Sequence, residues 1–220
     1  MRDKYNLSLK QNIFLAKKRL VQNIYNSARL EGCNVTFPQT QTILDGISVA
    51  GLKMDDVEVI LNLRDAWGYV LKTIEEPLTL EYMDKINEYV SRNESLDWGV
   101  LRYGEVGISG TSYIPPIPKR DDVINRLNHI MGSDKSITEK SIELFLYGCR
   151  SQNYWDGNKR TSTIFANKYL IVNGKGILTV PEDKLLIFNQ LLLDYYESAN
   201  WDEIKTFMYE NCIEGMSINQ

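Results

Sequence analysis

The sequence predicts a mostly α-helical domain that carries one β-hairpin. Apolar residues recur at helical spacing through most of the 220 residues, which favours a helical core. One stretch, residues 99–116 (GVLRYGEVGISGTSYIPP), differs because it combines four glycines, β-branched alternation and a Pro-Pro stop. The chain shows no internal repeat and no break in composition, so we expect one compact domain.

The helices follow one another along the whole chain. The first is predicted from Leu9 to Leu30 and stops near Glu31 and Gly32, because glycine suits a helix C-terminus. Pro77 breaks the helical pattern between two later helices. Further helices are predicted over residues 38–45, 55–74, 79–90, 121–131, 138–150, 160–172, 182–197 and 201–212.

The lone hairpin has two interpretations. An unpaired strand edge is a hazard in a helical domain unless it is used, and one use is pairing with an extended peptide. The alternative is a structural flap that only covers the core. The sequence favours neither over the other.

Composition narrows the class of protein. The net charge of -4 argues against a nucleic-acid-binding surface, which needs a basic face. Cys33, Cys149 and Cys212 are far apart and form no CxxC pair, which suits a reducing compartment. No apolar run approaches membrane-spanning length, and the N-terminus MRDKYNLSLK does not resemble a signal peptide. We therefore expect a cytoplasmic protein with no membrane or nucleic-acid partner.

The stretch from Gln152 to Thr163 (QNYWDGNKRTST) concentrates the chemistry of the chain. It lies between two apolar segments and opens the second, so it sits at a helix N-terminus, where free amides favour anions. Gly157 would let a phosphate approach while Lys159 and Arg160 add charge, and Asp156 would hold magnesium. The alternative is a solvated helix end capped by Asp156. Short glycine motifs are common, so these residues alone slightly favour that alternative.

Three segments together resemble the Fic/Doc (Fido) family. The loop is similar to the signature His-x-Phe-x-Asp/Glu-Gly-Asn-Gly/Lys-Arg-x-x-Arg, and the segment ending in GTSYIPP is similar to the flap that clamps a target. Ser27, Glu31 and Gly32 match the inhibitory motif Ser/Thr-x-x-x-Glu-Gly/Asn of the type with an N-terminal inhibitory helix. Each segment is weak alone, but their shared order makes the conjunction specific.

The resemblance implies a helical domain that binds ATP and Mg2+. Most members transfer AMP to a hydroxyl on a protein, whereas Doc-like members transfer phosphate. By the motif, Asp156 would be the metal ligand and Gly157, Asn158 and Lys159 would hold the phosphates. Arg160 would bind nucleotide too and neutralise charge on the transferring group, as such chemistry requires.

The first departure from the family signature is Gln152, which stands at the position of the catalytic histidine. A neutral amide cannot take the proton from an attacking hydroxyl, and the loss of a positioned base costs about 100- to 10,000-fold in rate. Gln152, Asp156 and Arg160 thus remain the candidate catalytic residues. Tyr154 takes the aromatic position of the motif, and the single histidine, His129, is expected to be structural.

The second departure is Thr163, which replaces the second arginine of the signature. That arginine typically pairs with the inhibitory glutamate, so Glu31 lacks its expected partner here. Lys159 and Arg160 are the candidates to replace it, and the sequence does not decide between them.

The resemblance also divides the chain into regions. It implies an N-terminal helical region over residues 1–76, a Fic-like core over residues 77–215 and a tail over residues 216–220. An unknown target protein would dock on the flap, and a homo-oligomer is allowed. The flap residues expected to contact the target are Gly107, Ile108, Thr111 and Tyr113.

The function stays open between two hypotheses. In the first, the chain is a protein adenylyltransferase with an altered catalytic site. In the second, it is a catalytically silent Fic fold that binds nucleotide or protein. Retention of the DGNKR residues favours a surviving anion pocket, whereas loss of the histidine weakens the case for catalysis.

Overall fold

The computed structural model describes residues 1–216, so residues 217–220 of the predicted tail lie outside the described part. The mostly helical class is confirmed. The helices are α1 (Leu9–Lys18), α2 (Leu20–Leu30), α3 (Phe37–Leu44), α4 (Met54–Lys72), α5 (Leu80–Val90), α6 (Arg120–Gly132), α7 (Ile137–Ser151), α8 (Asn158–Val172), α9 (Leu185–Ser198) and α10 (Asp202–Asn211). A short antiparallel pair, β1 (Ile177–Leu178) and β2 (Ile213–Glu214), completes the fold.

Helix α8 lies at the centre of the fold. It packs against α7 along its length and also contacts α1, α4 and α5. Gly148 of α7 allows the close approach, because a Cβ at that position would collide with the side chain of Ser162. Trp67 and Phe165 are completely buried in the cluster that joins these helices. The polar loop before α8 is therefore held by the most buried part of the molecule.

The helix predicted from Leu9 to Leu30 is two helices in the structure. Arg19 leaves helical geometry at φ -96° and ψ 6°, although its N–H still donates to the carbonyl of Leu15. Helix α1 packs on α8 and β1, whereas α2 packs on α3 and α4. The two helices pack against different elements, and the break at Arg19 lets each helix take the direction that its own packing requires.

The segment predicted as a hairpin forms no β-ladder in the structure. Its arms are irregular and meet at a turn over Ser109 and Gly110, while β1 and β2 lie elsewhere in the chain. The guanidinium of Arg102 donates to the carbonyls of Gly104, Pro115 and Pro116, so one buried side chain joins the two arms. The two prolines have no N–H to offer a ladder. We keep the term flap for residues 103–116.

No helix within residues 1–216 is long and apolar enough to cross a membrane.

Candidate functional site

A cleft of about 430 Å³ brings five of the predicted residues together. Gln152, Asp156 and Lys159 line it from the loop, and Gly107 and Ile108 line it from the flap. The end of α2 and one face of α9 close the remaining sides. These sides are formed by Leu30, Asn189, Leu192, Leu193 and Tyr196.

The other two predicted flap residues lie outside this cleft. The hydroxyl of Thr111 donates to the carboxylate of Glu197 at 2.6 Å, and the N–H of Ser112 donates to the same oxygen. Tyr113 lies beneath the guanidinium of Arg150, 3.7 Å from the ring centroid. The turn of the flap is therefore tied to α9, and only its first arm faces the cleft.

The loop folds back through two left-handed residues. Gln152 ends α7 at φ 46°, and Gly157 precedes α8 at φ 70°. A Cβ at Gly157 would lie 2.8 Å from a methyl group of Val90, so both the backbone angle and the packing require glycine. Helix α8 begins at Asn158, two residues earlier than predicted, and this places Lys159 and Arg160 in its first turn.

Asn158 shapes the loop from inside. Its Oδ1 accepts from the N–H of Tyr154 at 2.9 Å, and its Nδ2 donates to the carbonyl of Tyr154 at 2.8 Å. The same Nδ2 donates to Oε1 of Gln152 at 3.0 Å. The side chain predicted to hold phosphate is buried in these contacts, so the backbone amides of the first turn are the groups left for an anion.

Gln152 has both ends of its side chain engaged. Its Nε2 donates to the carbonyl of Cys149 at 2.7 Å, while its Oε1 accepts from Asn158. The residue lines the cleft at the position predicted for the catalytic base, but its amide closes the loop.

Arg160 is the most heavily paired cation at the site and is only 3% exposed. Its Nη1 donates to Glu94 at 2.8 Å and to the carbonyl of Val90 at 3.2 Å. Its Nη2 lies 3.6 Å from Asp156, and its Nε lies 3.8 Å from Glu31. Burial opposes the charge, but the three carboxylates outweigh burial and raise the pKa of Arg160.

Glu94 is the residue that sequence reasoning missed. It also accepts from Nδ2 of Asn62 at 2.8 Å, so it connects Arg160 to α4. Burial raises the pKa of Glu94, and the guanidinium of Arg160 acts against that shift. The surrounding letters, SRNESLD, resemble any polar turn, so no sequence pattern marked this glutamate.

The inhibition-like segment ends beside the loop. Glu31 follows α2 and lies 3.9 Å from Nζ of Lys159, which also donates to the carbonyl of Leu30 at 3.2 Å. Both candidate replacements for the missing arginine therefore neighbour Glu31. Ser27 is buried, Gly32 turns the chain at φ 89°, and the hydroxyl of Thr163 donates to the carbonyl of Lys159.

The interface between Glu31 and Arg160 is incomplete. Within residues 1–216, Oε1 of Glu31 and Nε of Arg160 are buried without a hydrogen-bond partner. Nε of Arg160 lies 3.8 Å from Oε2 of Glu31, and Oε1 of Glu31 lies 3.9 Å from Nζ of Lys159, so both unpartnered atoms keep capacity for another polar group.

Asp156 is the carboxylate available to a metal ion. Its side chain is 49% exposed, and its Oδ1 accepts from the N–H of Gly157 at 2.5 Å. The described residues contain no cluster of three metal-ligating side chains. This donor set fits magnesium, which commonly takes one or two carboxylates together with phosphate oxygens.

The remaining singled-out residues lie away from the cleft. Tyr154 is buried, and its hydroxyl donates to Asp84 at 2.7 Å. Burial raises the pKa of Asp84 to about 6 despite that hydrogen bond. His129 lies exposed on α6 and is not among the cleft residues.

The sequence of the chain is similar to those of proteins that carry the same name in different insects. The chain is 26% identical over 218 residues to a protein of Aedes aegypti named protein adenylyltransferase Fic, covering 92% of this chain and 41% of the relative. A protein of the same name from Drosophila mojavensis is 24% identical, with 87% of this chain and 39% of the relative covered. The chain thus spans about two fifths of the length of these relatives. No protein-family model matches the chain.

Structure comparison finds the same fold. A Fic domain-containing signaling protein from Bacteroides thetaiotaomicron superposes with a TM-score of 0.74 at 18% identity, covering 93% of this chain and 85% of that one. Fic-1 from C. elegans superposes with a TM-score of 0.72 at 16% identity, covering 89% of this chain and 59% of that one. The helical architecture around α7 and α8 is therefore the Fic fold, and the chain is similar in sequence to proteins named for Fic.

Proposed function

We propose that this domain binds ATP with magnesium in the cleft and transfers AMP to a hydroxyl group of a protein held at the flap. One observation carries the proposal: the cleft places Asp156, Lys159 and the open N-terminus of α8 opposite the first arm of the flap. The relatives named as adenylyltransferases support the choice of AMP as the transferred group.

The α8 terminus would bind the phosphates of ATP. The first amides of a helix have no internal partner and carry the positive end of its dipole, and Lys159 adds a full charge. Asp156 would hold the magnesium ion, which neutralises phosphate charge when bound. The acceptor oxygen would bond to the α-phosphorus as the α–β phosphoanhydride bond breaks. Pyrophosphate would leave, and the proton of the hydroxyl would pass to solvent water.

Catalysis by this site is expected to be slow. The proton of the acceptor hydroxyl has no titratable receiver at the position of Gln152. Binding and charge stabilisation remain, so positioning would supply most of the rate acceleration.

Glu31 would restrain the site further. It lies beside Lys159 and Arg160, the two cations that phosphate oxygens would approach. A carboxylate there competes with phosphate for the same charges, so we propose that Glu31 inhibits ATP binding in its productive orientation.

The first arm of the flap would receive the target. Gly107 and Ser109 are exposed, and Ile108 is half-buried at the rim of the cleft. An extended target segment can pair with free backbone groups of this arm and bring its hydroxyl toward Asp156.

A second candidate function is a nucleotide-binding module without catalysis. The two hydrogen bonds that engage the Gln152 amide favour it, because they give this residue a complete structural role. We also propose a reducing compartment such as the cytoplasm, since Cys33, Cys149 and Cys212 are buried, separate thiols.

Calorimetric titration with ATP and magnesium tests the cleft. We expect Lys159→Ala to lower the affinity for ATP about tenfold, because it removes one charge-assisted contact. Lys53→Ala, a change at an exposed lysine, should bind ATP as the wild type does. Undetectable binding by the wild type, or equal weakening by both variants, would refute the nucleotide site.

A further inference from the structure

A second groove, of about 520 Å³, lies beyond the flap and shares no lining residue with the nucleotide cleft. The second arm of the flap and the end of α9 form its walls, with Tyr113 and Tyr195 among them. Trp201 stacks on Tyr195 at a centroid distance of 6.3 Å. The volume is that of a pocket for one small molecule.

Two polar atoms at this groove have no partner. Asn153 is 1% exposed and lines the groove, yet its Nδ2 forms no hydrogen bond within residues 1–216. The same holds for Oγ of Ser151, which also lines it. Both side chains lie near the hydroxyl of Tyr147, where they act against the rise in its pKa that burial causes, but neither forms a hydrogen bond with it. An amide donor that is buried without a hydrogen-bond partner lowers the stability of the fold. We therefore take this donor to indicate that a bound ligand supplies the acceptor.

Cations outnumber acids around the groove. Lys119, Arg126 and Arg150 line it, against one carboxylate, Asp122. The guanidinium of Arg126 lies 5.6 Å from the Trp201 ring centroid and forms no ion pair in the described part of the chain. Arg150 donates from Nε to the carbonyls of Tyr195 and Tyr196, which leaves its Nη groups available.

We propose that this groove is a binding site for a small aromatic anion, a flat ring that bears a carboxylate or phosphate. The ring would lie against Tyr113 and Trp201, and the anion would accept from Asn153, Arg126 and Arg150. Apolar walls with a few convergent donors are the usual composition of such sites. This proposal is independent of nucleotide binding and AMP transfer.

Calorimetry with phenyl phosphate tests the site. We expect saturable binding that is unchanged when the nucleotide cleft is saturated with ATP and magnesium. Inorganic phosphate lacks the ring and benzyl alcohol lacks the charge, so each should bind at least about tenfold more weakly. Absence of phenyl phosphate binding, competition by ATP, or equal affinity for inorganic phosphate would overturn the proposal.

Two variants locate the binding. Arg126→Gln removes a half-buried cation and should weaken phenyl phosphate about tenfold, whereas Arg64→Gln, a matched change on α4, should have no effect. Asn153→Asp replaces the unpartnered donor by an acidic group and should lower the affinity for phenyl phosphate further. Thermal unfolding checks that this variant is folded. Equal affinities for Arg126→Gln, Arg64→Gln and the wild type would place the anion elsewhere.

Discussion

Gly157 shows how one residue determines the geometry of the loop. Its φ of 70° starts α8, and its missing side chain leaves room for Val90. On the sequence alone, this glycine is explained by the close approach of a phosphate. The structure adds a second reason, the packing against Val90, which applies even without a ligand. The two requirements coincide, so the geometry of this loop is set by packing whether or not an anion is bound.

We predict that Gly157→Ala destabilises the domain by about 1–3 kcal/mol, because alanine is strained at this φ and would contact Val90. Urea unfolding followed by circular dichroism measures the change. Gly132→Ala is the matched control, since its φ is ordinary and a Cβ there meets open space. Equal stability of both variants would show that the loop relaxes without cost.

Asp84 gives a pH-dependent prediction. Its carboxyl has a folded pKa of about 6 against 3.8 for the free side chain, so the folded state binds more protons between these values. The free energy of unfolding should therefore lose on the order of 2 kcal/mol from this group as the pH rises from 4 to 6.

The variant Asp84→Asn should remove that contribution, because asparagine does not titrate but still accepts from Tyr154. The measurement is the free energy of unfolding of wild type and variant across this pH range. The exposed Asp121→Asn serves as the control and should follow the wild type. A difference between wild type and Asp84→Asn that stays constant with pH would contradict the raised pKa.

At the scale of elements, the positions of the helices were predictable, but the break between α1 and α2 and the form of the flap were not. Apolar periodicity located α7 and α8 because their buried faces repeat with the helical period. The flap followed no such rule. The β-branched alternation and the glycines predicted two strands. In the structure Arg102, which is 1% exposed, donates to carbonyls of the second arm, and no β-ladder forms between the arms. A single arginine in a glycine-rich stretch carries no signal of that role.

Arg102 should therefore hold the flap in place. We predict that Arg102→Ala increases hydrogen exchange across residues 103–116, because four carbonyl contacts of its guanidinium are lost. Tyr103→Phe, which removes one exposed hydrogen bond to Asp97 in the same segment, is the control and should leave exchange unchanged. Unaltered exchange in Arg102→Ala would show that other contacts position the flap.

At the scale of the whole molecule, tertiary contacts decide the candidate site. The motif residues were found in one loop, and the order of the three segments predicted the Fic fold. The ion-pair cluster required the folded chain, because Glu94 meets Arg160 across 66 positions of sequence. The same cluster holds Arg160 in place, so the residue expected to act on the transferring group is also part of the structural core.

The cleft that we propose for nucleotide has no titratable side chain at the position of Gln152. Gln152 closes the loop, Asp156 faces the cleft, and Glu31 lies beside the two cations of α8. We propose that this arrangement supports AMP transfer at a rate limited by the missing base.

The most direct test uses ATP labelled at the α-phosphate or at the γ-phosphate, with magnesium and a cell lysate as the source of acceptor protein. We predict that the wild type transfers the α label weakly. Gln152→His should transfer it about 100-fold faster than the wild type or more, and Glu31→Gly should also transfer more than the wild type. Gln41→His on α3 should match the wild type. Absence of α-label transfer by every variant while ATP still binds, or transfer of the γ label alone, would refute AMP transfer by this cleft.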